Sequence, residues 1–197
     1  WAEYQNEPLP AEVPDEDELT ADQICEKTNG LKRGAVPLGC QHLTMFVDVQ
    51  QKLLYWVVCA WSDEFTGAVI DYGAYPDPRR WYFTLRDVTK TLAGVAPGTG
   101  LEGAIYAGLQ ALTENLLSRE WQRDDGAAMK IERCLIDANW GSSTDVVYQF
   151  CRQSPHAALL LPSHGRFVGA SSLPMSEYKR RPGDRVGLTV FREGRPE

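Results

Sequence analysis

The strongest constraint on the fold is a group of three β-rich runs between residues 43 and 75. They are LTMFVDVQ (43–50), LLYWVVCAWS (53–62) and GAVIDYGAY (67–75), which are rich in β-branched and aromatic residues. Gln51-Lys52 separates the first two runs and DEFT separates the second and third. Both connections are short enough for hairpins, so the sequence predicts three consecutive antiparallel strands.

Helices and strands alternate after this group. Residues 101–121 predict one long helix, because apolar residues recur at steps of three and four. Residues 132–139 predict a buried strand, 143–153 a second helix and 156–165 a last strand. The order βββ-α-β-α-β predicts an α/β fold with a mixed five-stranded sheet and flanking helices, which is the ribonuclease H-like arrangement.

Three segments of the chain differ in composition. Residues 1–17 are acidic and contain three prolines, which predicts a solvated linker. Residues 18–42 predict a lead-in helix, with Thr20 as its N-cap and Gly30 as its end, followed by a loop. Residues 43–197 form the domain proper, with a Gly/Pro/Arg-rich tail and one further strand at RVGLTVF. Because the first residue is Trp rather than Met, we expect the chain to be a fragment of a longer one.

Composition excludes some classes of protein. The longest apolar run, Leu53 to Trp61, has nine residues, against about 20 needed to cross a bilayer. The N-terminal sequence WAEYQNEPLP lacks the basic and apolar regions of a secretory signal. Nine of the 27 acidic residues and none of the 20 basic ones lie in residues 1–26. The remainder therefore has a slight excess of bases, and the net charge of −7 does not exclude a polyanionic partner.

The cysteine pattern favours reduced thiols. Cys59, Cys134 and Cys151 lie in apolar stretches, which is typical of core thiols in a cytoplasmic protein. Cys25 and Cys40 with His42 give only a weak zinc pattern, because the chain has no C-x₂-C pair. We therefore do not expect a zinc site.

Two aspartates carry the main functional hypothesis. Asp48 and Asp137 each lie in an otherwise apolar strand, where an uncompensated carboxylate is costly. Either could instead lie at a strand end, facing solvent or an arginine. In the predicted order, however, their strands are neighbours at the sheet centre, so the pair can share Mg²⁺ or Mn²⁺. Two such ions would support hydrolysis of a phosphodiester, with both aspartates as catalytic metal ligands.

Three further acids have structural alternatives. Asp71 lies on the third strand, at the outside of the predicted sheet, and is interpreted as structural. Asp145 lies in the first helical turn after Asp137. There its negative charge can interact favourably with the helix dipole, or it can act as a metal ligand. Glu102 has the same two interpretations at the start of the long helix.

Other motifs carry weaker signals. The Gly-rich segment 94–103 lacks the Lys-Ser/Thr of a Walker phosphate loop. His156 and His164 flank the last strand and are interpreted as capping or packing residues. Ser163 before His164 lacks nucleophile-elbow spacing. The basic segment YKRRPGDR (178–185) predicts a solvated loop that could contact a phosphate backbone.

Several segments together resemble a known family. They are ELTADQICEKTNGLKRGAVPLGCQHLTMFVDVQ (18–50), WVVCAWSDEFTGAVIDYGAY and CLIDANWGSSTDVVYQFCRQ, in this order. Over roughly residues 18–185 the chain resembles the nuclease domain of large terminase subunits of tailed phages, and more narrowly their GpA-like branch. In that family an N-terminal ATPase drives DNA into the capsid, and a C-terminal ribonuclease H-like domain cuts the concatemer.

The resemblance implies a set of ligands and partners. Family members hold Mg²⁺ or Mn²⁺ with three acids, and Asp48 and Asp137 match the first two. The third acid of the family lies past the fifth strand. No residue here matches it, because Asp184 is in a loop and Asp145 comes too early in the chain. The chain has no Walker motif and is expected to be a nuclease domain truncated at its C-terminus. The implied partners are double-stranded DNA and, in an oligomeric packaging motor, the portal and the small terminase subunit, in the host cytoplasm.

Three functional hypotheses therefore stand. The first is a metal-dependent DNA endonuclease of a terminase. The second is a catalytically incomplete ribonuclease H-like module, such as a prophage remnant, that binds DNA or the portal. The third is a resolvase for branched DNA, which stable dimerisation and a preference for junctions would distinguish.

Overall fold

A computed structural model describes residues 20–26, 30–80, 82–139, 141, 144–165, 185–186 and 189–190. The chain divides into two units, residues 1–32 and 33–197. The predicted linker at 1–17 lies outside the described residues. None of the described helices has the length and apolar character that crossing a bilayer requires.

Within the first unit, helix α1 spans Ala21–Cys25. Thr20 Oγ1 accepts a hydrogen bond from the Gln23 amide at 3.2 Å, and Gln23 Oε1 accepts one from the Thr20 amide at 2.8 Å. This reciprocal pair is a capping box and confirms the predicted N-cap. The helix was predicted to end at Gly30; in the described residues its C-cap is Glu26, whose amide donates to Asp22 O at 2.9 Å.

The second unit alternates strands and helices as the order of patterns predicts. Its elements are β1 (Ala35–Val36), β2 (His42–Val49), β3 (Leu54–Trp61), β4 (Gly67–Tyr75), α2 (Leu92–Val95), α3 (Gly100–Ser118), β5 (Trp121–Arg123), β6 (Ala128–Met129), β7 (Arg133–Asp137), α4 (Thr144–Gln153), β8 (Leu160–Ser163), β9 (Arg185–Val186) and β10 (Thr189–Val190).

Five strands form the main sheet, in the order β4-β3-β2-β7-β8. β3 pairs antiparallel with both β2 and β4, whereas β7 pairs parallel with both β2 and β8. The predicted mixed five-stranded sheet is confirmed, and β2 and β7 are adjacent. This sheet and its helices are compatible with a ribonuclease H-like fold.

Two predicted elements are shorter in the structure. α3 ends at Ser118, because Arg119 takes extended backbone angles, and Trp121 begins β5 instead. The last strand of the main sheet is only Leu160–Ser163, because the residues before it form turns, in which the Leu159 amide donates to His156 O at 2.8 Å.

Two sets of short strands differ from the prediction. β1, β5 and β6 form a separate three-stranded sheet, and β1 falls within the predicted loop of residues 31–42. In the tail, the predicted strand at 185–191 is instead two antiparallel two-residue strands, β9 and β10.

Helices α3 and α4 cover one face of the main sheet. The rings of Tyr106 on α3 and Phe150 on α4 meet edge to face at 5.3 Å. On this face Val47 and Val49 of β2 are buried in the core with residues of α3 such as Leu109. The residues of β2 that alternate with these valines, such as Phe46, point to the other side of the sheet, which we call the open face. The candidate aspartates of β2 and β7 lie on this open face.

Candidate functional site

Asp48 lies near the carboxyl end of β2. Its neighbours Val47 and Val49 are buried, and Asp48 itself is half-buried on the open face. Gln50 Nε2 donates to both carboxylate oxygens of Asp48, at 3.1 Å to Oδ1 and 3.0 Å to Oδ2. The strand and the Gln50 amide together fix the orientation of this carboxylate.

Asp137 is the last residue of β7 and is also half-buried. Oδ1 of Asp137 accepts a hydrogen bond from the Asn139 amide at 3.0 Å. In the ladder between β7 and β8, Asp137 pairs with Ser163. The Ser163 side chain therefore shares the open face with Asp137 at the same edge of the sheet.

The structure brings Asp48 and Asp137 together. β2 and β7 pair in parallel up to Val47 and Ile136, and the two aspartates lie one step beyond that pair. Neighbouring strands lie about 4.8 Å apart, and residues at matching positions share a face. Two acidic side chains thus lie side by side at the carboxyl edge, where their like charges repel unless a cation lies between them.

Asp145 is exposed in the first turn of α4, as predicted. The Thr144 hydroxyl donates to Ala138 O at 2.8 Å, which ties the start of the helix to the end of β7. Asp145 therefore lies at the same edge of the sheet as Asp137. Glu102 is exposed in the first turn of α3.

No group of three or more His, Cys, Asp or Glu side chains poised to hold a metal ion occurs within the described residues. At this edge of the sheet the donors are therefore a carboxylate pair, with Asp145 on the adjoining helix. Asp184 and the basic segment 178–185 fall almost entirely outside the described residues.

Asp71 has the structural role predicted for it. It lies on the edge strand β4, and its side chain is only 8% exposed. Arg33 Nε contacts Oδ1 at 2.5 Å, and Arg119 Nη1 contacts Oδ2 at 3.3 Å. The two guanidinium groups compensate the buried carboxylate, which is therefore no candidate ligand.

The histidines have partners of different kinds. Nε2 of His164 lies 3.0 Å from the hydroxyl of Tyr148, a buried residue of α4. The backbone amide of His156 donates to Ser154 Oγ at 3.1 Å. His164 therefore makes a packing contact, as predicted, whereas the contact of His156 is a backbone bond within a turn.

His42 lies between two carboxylates, those of Glu132 and Asp63. Its Nδ1 is 3.0 Å from Glu132 Oε2 and its Nε2 is 3.4 Å from Asp63 Oδ1. The Glu132 hydrogen bond and charge, with Asp63 contributing less, raise the pKa of His42. This contact joins the start of β2 to the residue before β7.

The raised pKa of His42 predicts a pH-dependent stability. Its contribution is complete below the pKa of about 6.5 in the unfolded chain, and it is lost as the pH rises through the higher folded value. His42→Gln should therefore lower the urea midpoint at about pH 5.5 and leave it nearly unchanged at about pH 8.5. A stability difference of equal size at both pH values would contradict this account.

Burial raises the pKa of the Cys134 and Cys151 thiols, and that of Cys151 reaches about 12. Both side chains are buried, as predicted, whereas Cys59 is half-buried. These two thiols stay neutral at physiological pH, which favours packing over reactivity.

One feature near the site was not predicted. The Phe83 ring stacks on Tyr55 with a centroid distance of 6.0 Å, and Tyr55 is the cross-strand neighbour of Asp48. Burial and then the charge of Asp48 raise the pKa of Tyr55, so its hydroxyl keeps its proton. The sequence signal for this contact is the mixed basic and aromatic run RRWYF (79–83).

Comparison with known proteins gives one match. The model of a family described as terminase large subunit gpA, endonuclease domain, matches residues 8–190. The match includes the main sheet with both site aspartates. No curated protein and no solved structure matches the chain.

Proposed function

This chain belongs to the terminase large subunit gpA endonuclease-domain family, and from that premise we propose that Asp48 and Asp137 form the active site of a metal-dependent DNA endonuclease with a ribonuclease H-like fold. The family itself has a nuclease role in phage DNA packaging. The observation that carries the proposal is the parallel ladder of β2 and β7, which ends one step before the two aspartates.

The donor set suits a hard divalent cation. Carboxylate oxygens are the ligands that Mg²⁺ and Mn²⁺ prefer, and these ions keep waters that leave room for a phosphate. Asp48 and Asp137 would hold the metal, with Asp145 as a third ligand. The full complement would be two ions. When bound, such ions stabilise charge on the attacking and leaving oxygens of a phosphodiester displacement.

The chain's own residues prepare this site before any ion binds. The Gln50 amide holds both oxygens of Asp48, and the Asn139 backbone amide holds one oxygen of Asp137. These bonds limit rotation of the carboxylates, so less ordering is needed when a ligand binds. Both aspartates remain partly exposed, which leaves access for a phosphate.

The biological setting follows from the family. We propose that the substrate is double-stranded concatemeric DNA, cut during genome packaging in the host cytoplasm. The portal and the small terminase subunit would be partners within an oligomeric motor.

One observation favours a second function. Two carboxylates on adjacent strands are fewer than the three acids of the nuclease family, and the described residues hold no larger ligand cluster. A catalytically incomplete module that binds DNA or the portal is consistent with that set.

Nicking of supercoiled plasmid tests the choice between the two functions. The nuclease predicts open-circular and linear products with Mn²⁺ or Mg²⁺ and intact plasmid with EDTA. Absence of nicking with either metal, by folded protein that still retards duplex DNA in a gel, would contradict the nuclease and support the binding module.

A further inference from the structure

The connection from β4 to α2 lies at the edge of the sheet that carries the aspartates. β2 and β4 are parallel to each other, because both pair antiparallel with β3. Their last residues, Val49 and Tyr75, both pair with Leu54. The chain that leaves β4 therefore starts at the same edge of the sheet as the carboxyl end of β2, with β3 between the two strands. We call residues 76–80 and 82–91 the basic loop.

Specific contacts hold the basic loop at this position. Phe83 stacks on Tyr55, the neighbour of Asp48. Lys52, in the β2–β3 turn, donates from Nζ to Leu85 O at 2.7 Å and accepts at its own carbonyl from the Leu92 amide at 2.8 Å. The loop is thus anchored to the open face and to the turn that follows Asp48.

Positive charge predominates in this loop. It contains four basic residues and two acidic ones, and its basic side chains are exposed: Arg79, Arg80, Arg86 and Lys90. The two acids bond within the loop. Asp77 Oδ1 accepts from the Arg79 amide at 2.8 Å, and Asp87 Oδ1 accepts from the Thr84 amide at 2.7 Å. The four basic side chains are thus exposed at the edge of the sheet that carries the aspartate pair.

We propose that the basic loop binds the phosphate backbone of duplex DNA and holds the strand against the carboxylate pair. This inference rests on the proposed nuclease function. The repulsion between a phosphodiester and two carboxylates has to be offset, and guanidinium groups match phosphate oxygens in geometry and charge. Tyr82, which is 80% exposed, adds a hydroxyl that can donate to a phosphate.

Binding of a fluorescent duplex, measured by anisotropy in EDTA, tests the proposal without any cleavage. Arg79→Gln/Arg80→Gln removes two charges from the basic loop. Lys130→Gln/Arg152→Gln is the matched control, because Lys130 shortly precedes β7 and Arg152 ends α4, which places both at the opposite edge of the sheet. All four side chains are exposed, so urea midpoints should change little.

The loop variant should bind roughly 10- to 50-fold more weakly, and its salt slope should fall by about 2, since each phosphate contact contributes about 0.9. The control should stay within about twofold of wild type. Arg86→Gln/Lys90→Gln is a second variant that should repeat the loss. Both loop variants binding as tightly as the control would overturn the inference.

The two proposals fail in different ways. Wild-type protein that binds DNA through the loop but never nicks plasmid would end the nuclease proposal and leave the loop as a binding surface. Wild-type protein that nicks plasmid, with loop variants equal to the control in DNA affinity, would end only the loop proposal.

Discussion

Asp48→Asn and Asp137→Asn should each reduce plasmid nicking by about 100- to 1,000-fold. A metal ion contributes several kcal/mol of transition-state stabilisation, and about 1.4 kcal/mol corresponds to a factor of ten in rate. Asparagine keeps the size of the side chain but removes the charge that holds the cation. The initial rate of supercoiled-plasmid loss in Mn²⁺ measures the effect.

Asp124→Asn is the matched control for this experiment. Asp124 is exposed, and the adjacent Arg123 donates to Cys40 O near the start of β2, at the opposite end from Asp48. This variant should nick at the wild-type rate. Equal activity of Asp48→Asn and Asp124→Asn would show that the carboxylate pair is not the active site.

Asp71→Asn should have the largest effect on stability, about 2–3 kcal/mol. Loss of one partner from a buried ion pair costs about 3–5 kcal/mol, but here Arg33 and Arg119 are 59% and 45% exposed, so water can solvate the cations left behind. Each arginine also has a second contact that does not involve the carboxylate, since Arg33 lies over the Tyr72 ring and Arg119 over the Trp121 ring. Urea unfolding measures this loss.

The same variant separates structure from catalysis. Asp71→Asn should keep its nicking rate at a temperature at which it is fully folded, because Asp71 lies on the edge strand β4, away from the β2–β7 pair. A variant as stable as wild type, or one that is folded but inactive, would contradict the structural role of Asp71.

The sheet and its aspartate pair were predictable because their signals are local. Strict alternation along β2 places Asp48 opposite the buried valines, and the order of three strands followed by a helix places β7 beside β2. These two facts suffice to bring Asp137 next to Asp48 without any knowledge of side-chain contacts. Asp145 followed from its position at the start of a helix.

The missed features depend on long-range contacts or very short elements. β1 has two residues and β5 has three, which is too few for a period to show in the sequence. Trp121 continues the helical pattern of α3, yet it is buried in β5 after Arg119 breaks the helix. The position of the basic loop depends on Phe83 meeting Tyr55, a contact that no local pattern encodes.

The central claim is that the carboxylate pair binds a metal ion. Its most direct test is binding of Mn²⁺ to the purified chain, measured through the EPR signal of the free ion. We expect wild type and Asp124→Asn to take up Mn²⁺ with similar affinity, and the double variant Asp48→Asn/Asp137→Asn to lose that uptake at the same concentration. Uptake by the double variant equal to that of wild type, or no uptake by folded wild type, would contradict a metal site at the carboxylate pair.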